Sequence, residues 1–324
     1  MTTGKDPKEY GLQMSPNLEG GQPDSSLSHG SIDLSQIIVP QSLQKLVPIY
    51  DIYETLKKDL RIRTGMIQYP TGLKGLDEIT WGVHKRELLT VGARTSQGKS
   101  VFALEAAKNL AKNSQVVLLL SLEMSKEQIV ERLLSNMCEI DNTMLRRGQA
   151  WDLVCKKEGH FKEWLQTAPL VIDDQNGYYF KNILEVIDAV KPDFVIVDYV
   201  QMISTRGFKD KLAALEDFVK EIHKLGKERN FGAILISQIN RAGAEGRPFM
   251  HQLKHAGILE EHSDSVILLQ WDFEKHTYTV FVEKNRHGMV GELQINFEPQ
   301  FYRFSDLEGY LSQNWKLLSK SMRD

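Results

Sequence analysis

Cysteine is nearly absent, with only Cys138 and Cys155 in 324 residues. Neither stands at metal-ligand spacing, so a disulfide framework is excluded and a reducing compartment fits best. A surplus of either charge is also missing. Forty Lys and Arg face 43 Asp and Glu, a formal net charge of -3. A whole-molecule basic field is therefore excluded, and any nucleic-acid contact must be a local patch. No apolar run approaches the ~20 residues of a membrane span, and the opening MTTGKDPKEYGLQM has no apolar core of the signal-peptide kind. These absences lead us to expect a soluble, cytoplasmic protein with no membrane partner. Periodic hydrophobicity is lacking across residues 1–41, which contain NLEGGQPDSSLSHGS and read as a flexible arm.

What is present is ordinary globular composition, 41% hydrophobic and 26% charged. Residues 42–63 place Leu43, Leu46, Ile49, Ile52, Tyr53 and Leu56 at helical spacing, with Pro48 expected to kink or start the helix. A lone amphipathic helix must bury its stripe on its own domain or on a neighbouring subunit. From 64 to 306, apolar strand-like runs at 88–92, 116–122, 170–173, 194–199, 233–237 and 266–270 alternate with helical stretches at 100–112, 125–138, 180–190 and 211–229. The last helix carries Leu212, Leu215, Phe218, Val219, Ile222 and Leu225 as one stripe. The pattern predicts an α/β fold, a mostly parallel central sheet flanked by helices. Period-two alternation around Asn285-Arg286-His287-Gly288 adds a C-terminal β-hairpin, and 307–324 is a tail.

One local motif points to chemistry. Residues 88–100, LLTVGARTSQGKS, run strand, tight loop, then Gly98-Lys99-Ser100 opening a helix. That is the order of a phosphate-binding P-loop, whose successive backbone N–H groups wrap a phosphate at a helix N-terminus. Ser96, Gln97, Gly98, Lys99, Ser100 and Val101 form the expected nucleotide site. Lys99 would reach the β- and γ-phosphates, and the Ser100 hydroxyl would complete a Mg²⁺ shell. One departure is clear: the spacing asks for glycine at 93, where Ala93 stands, with Gly92 one place early.

Ligands of an open parallel sheet sit at the carboxyl ends of its strands. Glu123, Asp173, Asp174, Asp198 and Gln238 all follow such strands and share the P-loop's rim. A carboxylate after an apolar strand suits a Mg²⁺ shell, and one close to the γ-phosphate can orient the attacking water. Asp173 and Asp174 are as readily turn residues, since DDQNG has turn composition. His251 and His255 stand four apart, but Gln252 replaces the metalloprotease glutamate and no zinc is expected.

In order along the chain stand TGLKGLDEITWG, GARTSQGKS, LSLEMS, LRRGQ, VIDD, VIVDYVQM, SQINR, EKNRHGMVG and FYRF. This set resembles the RecA-like motor domain of DnaB-type hexameric replicative helicases (superfamily 4). The usual large N-terminal domain of that family has no counterpart in this sequence. The resemblance accounts for Ala93 and implies a RecA-like fold, ATP and Mg²⁺ as cofactors, and site roles. Lys99 and Ser100 bind phosphate and metal, with Asp198 as the second metal residue. Glu123 is the general base and Gln238 the γ-phosphate sensor. Lys284 and Arg286 reach into the neighbouring subunit's ATP, which implies a homo-oligomer, a hexamer by resemblance. Single-stranded DNA would meet Arg206, Lys209, Lys211, Arg241, Arg247, Lys254, His255 and Gly257. The family's DNA-contact loop departs here at Lys254, His255 and Ala256. A primase or a helicase loader is an implied partner. A recombinase-like filament ATPase and a clock-type signalling ATPase share the fold and remain alternative functions at this point.

Overall fold

The computed structural model describes residues 49–62, 67–175, 180–203, 208–240 and 246–307. The arm at 1–41, the beginning of the linker helix at 42–48, Arg206, Arg241 and the tail from 308 onward lie outside the described residues. The chain divides into two units, residues 1–65 and 66–324. In the first, helix α1 (Ile49–Ile62) carries Ile49, Ile52, Tyr53 and Leu56 exposed.

The second unit is a single sheet with helices on both faces. Its strands are β1 (Leu88–Ala93), β2 (Val117–Ser121), β3 (Leu170–Asp173), β4 (Phe194–Asp198), β5 (Gly232–Gln238), β6 (Ser265–Asp272), β7 (Thr277–Asn285), β8 (Gly291–Glu298) and β9 (Arg303–Asp306). They lie in the order β3-β2-β4-β5-β1-β6-β7-β8-β9. The first six are parallel, and β6 to β9 form an antiparallel meander. The expected hairpin is β7–β8.

Alternate residues of the central strands enter two cores. Leu119, Ile196, Ile236 and Ile267 face α3 (Lys99–Lys112) and α4 (Lys126–Cys138). Leu118, Val195, Val197, Leu235 and Leu268 face α8 (Phe180–Val190) and α9 (Lys211–Arg229). Burial on both faces is why these strands read as continuous apolar runs and not as alternation. α9 starts where Asp210 accepts a hydrogen bond from the Ala213 N–H at 2.9 Å. Its stripe is buried as expected except at Leu212, which lies in the first turn, before the helix reaches the core, and is 47% exposed.

Helices α2 (Lys74–Thr80), α5 (Asn142–Arg146), α6 (Trp151–Lys157) and α7 (Gly159–Thr167) were not expected from periodicity. They are short, and α5 and α6 bury no residue, so no apolar stripe announces them. α2 is held by Asp77, whose Oδ1 accepts from the Thr71 amide and hydroxyl, both at 2.8 Å, and whose Oδ2 accepts from Gly72 N. Burial raises its pKa to about 6 against those three hydrogen bonds. A carboxyl titrating near 6 folded and near 4 unfolded adds stability below pH 4 that is lost as pH rises through 6. We expect the unfolding free-energy difference between wild type and Asp77→Asn to change by about 3 kcal/mol between pH 4 and pH 7. Denaturant melts of both proteins across that range measure it, and parallel pH profiles would contradict the assignment.

Candidate active site

The P-loop leaves β1 and enters α3, and its shape explains the departure at residue 93. The left-handed residues are Ser96 (φ 63°) and Gly98 (φ 78°), and Ala93 is not among them. Ala93 is wholly buried at the strand end, where a small side chain suffices. Gly92 answers a different need. A Cβ there would lie 2.4 Å from Leu253 Cδ2 and 2.7 Å from Leu268 Cδ2, so this glycine lets the segment carrying Leu253 cross β1 closely. At Gly98 a Cβ would meet Phe304 and the Tyr278 hydroxyl at 2.8 and 2.9 Å. Those two rings floor the loop. Tyr278 donates its O–H to the Gln97 carbonyl at 2.6 Å, and Gln97 Nε2 donates to the Trp271 carbonyl at 3.3 Å. Val101 is buried one turn on. Tyr278 and Trp271 were missed by sequence reasoning. Only the FYRF motif carrying Phe304 hinted that the C-terminal strands attend the loop.

The expected polar groups converge on the same rim. Lys99 Nζ lies 3.4 Å from Glu123 Oε2 and 4.9 Å from the centre of the Tyr199 ring. Burial pushes the pKa of the Asp198 carboxylate up, and the Ser100 hydroxyl and the Lys99 charge hold it down in part. Asp198 Oδ1 is buried and has no hydrogen-bond partner among the described residues. A buried acceptor facing a serine at the head of a phosphate loop fits a hydrated Mg²⁺, which takes one or two protein oxygens and completes its shell from phosphate and water. Among the described residues no three His, Cys, Asp or Glu side chains cluster as a self-sufficient metal cage. Gln238 ends β5 with its Nε2 donating to Thr95 Oγ1 at 2.8 Å, so the amide already touches the P-loop. Asp173 and Asp174 do not join this group. Asp174 accepts from Lys126 N at the start of α4, and Asp173 closes a turn with Gln175 N.

Lys284 and Arg286 sit at the opposite rim. The register pairs Leu89 with Ser265 on β6, and Ser265 with Asn285 on β7. Arg286 thus lies beside the amino end of β1, roughly 17 Å of strand from the P-loop. Arg286 Nη1 donates to Asp264 Oδ1 at 2.8 Å. Burial alone would raise the Asp264 pKa, but the His223 ring nitrogen, the Leu88 amide and the Arg286 charge hold it well below the usual carboxylate range. Burial and the neighbouring Arg286 charge lower the pKa of Lys284.

Of the expected strand contacts, Lys211, Lys254 and His255 come together. Burial first, then the charges of Lys254 and Lys211, lowers the His255 pKa. Gly257 lies just beyond, in α10 (Ala256–His262). Lys209 is exposed before α9. Arg247 is engaged elsewhere, 2.7 Å from Glu283 Oε1 and 3.9 Å from Glu292 Oε2. The Lys254 loop is tied to the end of β5: Lys254 N donates to the Gln238 carbonyl and Asn240 N to the Gln252 carbonyl, each at 2.8 Å. Buried Gln201, also missed from sequence, donates to Ser237 Oγ at 2.8 Å and to the Lys254 carbonyl at 3.4 Å.

A phosphate loop at the carboxyl rim of a parallel sheet, with a strand-end acid and an amide beside it, defines a P-loop nucleotide-binding protein of RecA-like architecture. The chain belongs to the DnaB-like helicase C-terminal domain family, whose model matches residues 69–306. It is 28% identical over 287 residues to the replicative DNA helicase DnaB of Haemophilus influenzae, covering 82% of this chain and 60% of that protein. Among solved structures it is similar to the ATPase domain of G40P, with TM-score 0.73, 25% identity, and 80% and 99% of the two chains covered. It is similar also to a DnaB-like replicative helicase studied with primase, with TM-score 0.72, 26% identity, and 81% and 68% covered. The chain thus spans less than two thirds of the length of this curated relative.

Proposed function

We propose that this chain is an ATP-driven, ring-forming DNA helicase that moves along single-stranded DNA, with the hexamer as its working ring. The observation that carries this reading is the placement of the two halves of the site on opposite rims of one sheet. Lys284 and Arg286 stand at the far end of β1 from their own P-loop, which supports a role on another copy's triphosphate. Repeating that head-to-tail contact gives a closed ring or a helix.

ATP binds with its phosphates in the amides of residues 95–99. Lys99 turns from Glu123 to the β- and γ-phosphates, which frees Glu123 to polarise the attacking water. Ser100 and Asp198 are the residues that would hold Mg²⁺, which neutralises phosphate charge. Water attacks the γ-phosphoryl group as its bond to ADP breaks, while the neighbour's Arg286 and Lys284 stabilise the charge on the transferring oxygens. Gln238 then exchanges phosphate for Thr95. Its backbone is bonded to Lys254, so the strand-contact loop follows. The exposed apolar residues of α1 fit docking on an adjacent motor domain. A primase or a loader is the protein partner this reading implies, and DNA replication its setting.

The test is strand displacement on a forked duplex. The reading predicts ATP-dependent unwinding and ATP turnover stimulated by single strand. Turnover indifferent to DNA would favour the signalling ATPase instead. Lys254→Ala is expected to weaken single-strand binding equally across sequences and to lower the salt slope of log K by about 0.7, one phosphate contact's worth. Fluorescence anisotropy at several salt concentrations measures it, and an unchanged slope would remove Lys254 from the contact.

A further inference from the structure

Arg286 is not a loose side chain on a hairpin tip. Its backbone N donates to the Asp264 carbonyl at 2.9 Å, Nη1 to Asp264 Oδ1 at 2.8 Å, and Nη2 to the Glu261 carbonyl at 3.2 Å. Lys284 Nζ donates to the Glu260 carbonyl at 2.5 Å. Every one of these acceptors belongs to the last turn of α10 or to the residues just after it.

Asp264 is itself fixed. It is 5% exposed. Its Oδ2 accepts from Leu88 N at 2.9 Å, its own amide donates to the Leu88 carbonyl at 2.8 Å, and His223 Nε2 of α9 stands 3.2 Å away. The carboxylate is therefore bound to the first residue of β1 on one side and to the guanidinium on the other. An arginine held this way has lost its rotamer freedom in advance. Of the five N–H donors of its guanidinium, two are engaged in these contacts, which leaves donors to face a phosphate.

The other end of α10 is the strand-contact loop. The helix begins at Ala256, directly after Lys254 and His255, and spans only about 10 Å. Leu259 at its middle is fully buried against the core under α9, so the helix has no slack of its own. One short, anchored element thus has strand-contact residues at its start and the holder of the basic pair at its end.

We propose that Asp264 and the last turn of α10 are positioning groups for Arg286 and Lys284, and that strand contact at Lys254–Gly257 acts on the neighbouring subunit's triphosphate through them. This rests on the reading that the pair works on another subunit. It adds a route by which DNA bound to one subunit governs hydrolysis in the next, beside the route from Gln238 to Lys254 within a single subunit.

Asp264→Asn in the full chain is the test. The amide keeps the shape and an acceptor for Leu88 N, and removes the charge facing Arg286. Strand-stimulated turnover should fall on the order of 10²-fold, the cost of misplacing a reacting group by ~1 Å, with binding of a non-hydrolysable ATP analogue retained. Mixing Asp264→Asn protomers with Lys99→Ala protomers should restore turnover, because the latter bring an intact Arg286. Mixing with Arg286→Ala should not. Hydrogen exchange gives a readout apart from activity. An added oligothymidylate should alter exchange across 256–264 and 284–287 in the wild type, and in Asp264→Asn the change should stop within α10. A loss that Lys99→Ala protomers fail to rescue marks a folding defect and overturns the proposal, as does a wild type without strand-dependent exchange at 284–287. If Arg286→Ala loses turnover while Asp264→Asn keeps it, the holder alone is wrong. If Arg286→Ala keeps full turnover, the reading beneath it fails too.

Discussion

Arg286→Ala is expected to cut ATP turnover by about 10³- to 10⁵-fold, the range for an arginine that stabilises charge on a transferring phosphoryl group, while nucleotide binding changes little. The split follows from geometry. In the proposed ring the P-loop amides, Lys99 and Ser100 of one subunit would hold the ground state. Arg286 of another would meet charge that develops only during transfer. Loss of such a group lowers kcat and leaves ground-state affinity in place. Arg286→Lys should recover little, because an ammonium cannot donate to the Asp264 carboxylate and the Glu261 carbonyl in a planar fork and still face a phosphate. Steady-state turnover paired with titration of a fluorescent nucleotide measures both quantities. Equal losses in affinity and turnover would place Arg286 in the chain's own pocket.

Lys99→Ala is expected to abolish turnover and unwinding by a different route. Here the ground state suffers as well. Losing a charge-assisted contact to phosphate is worth about 1.5–3 kcal/mol, roughly ten- to a hundredfold in affinity. The residue also stands 3.4 Å from Glu123 Oε2, and its charge holds down the pKa of buried Asp198. Without it two carboxyl groups face an incoming triphosphate unopposed. The variant should therefore bind nucleotide poorly and respond to single-stranded DNA not at all. Lys99→Ala with measurable turnover would remove the lysine from the reaction.

The contrast between the two variants shows how much of the site was legible in the sequence. The P-loop, Glu123, Asp198 and Gln238 announce themselves because each follows an apolar strand directly, and parallel strands deliver all their carboxyl ends to one rim. The strands themselves were readable because burial on both faces removes polar residues from them. Nothing local marks the partners of Arg286. Asp264 lies 22 residues upstream in sequence, at the amino end of β6, and its pairing with Arg286 exists only because β7 returns antiparallel to β6. Tyr278 under Gln97 is a contact across 181 residues. The helices α5 and α6 escaped because a surface helix with no buried side has no periodic pattern. Gln201 stands unmarked inside a motif, and only its bonds to Ser237 and Lys254 place it between β5 and the Lys254 loop. Arg247 is a basic loop residue whose pairing with Glu283 on β7 nothing local announced.

The most direct test of the shared site mixes two inactive proteins. Lys99→Ala protomers have no working pocket but keep Arg286. Arg286→Ala protomers keep the pocket and lack the basic partner. Combined in equal amounts with single-stranded DNA and ATP, they should form rings in which roughly a quarter of interfaces join a sound pocket to a sound arginine, and hydrolysis should return. A mixture as dead as its components, in rings shown by sedimentation to contain both, would contradict a pocket completed by the neighbouring copy.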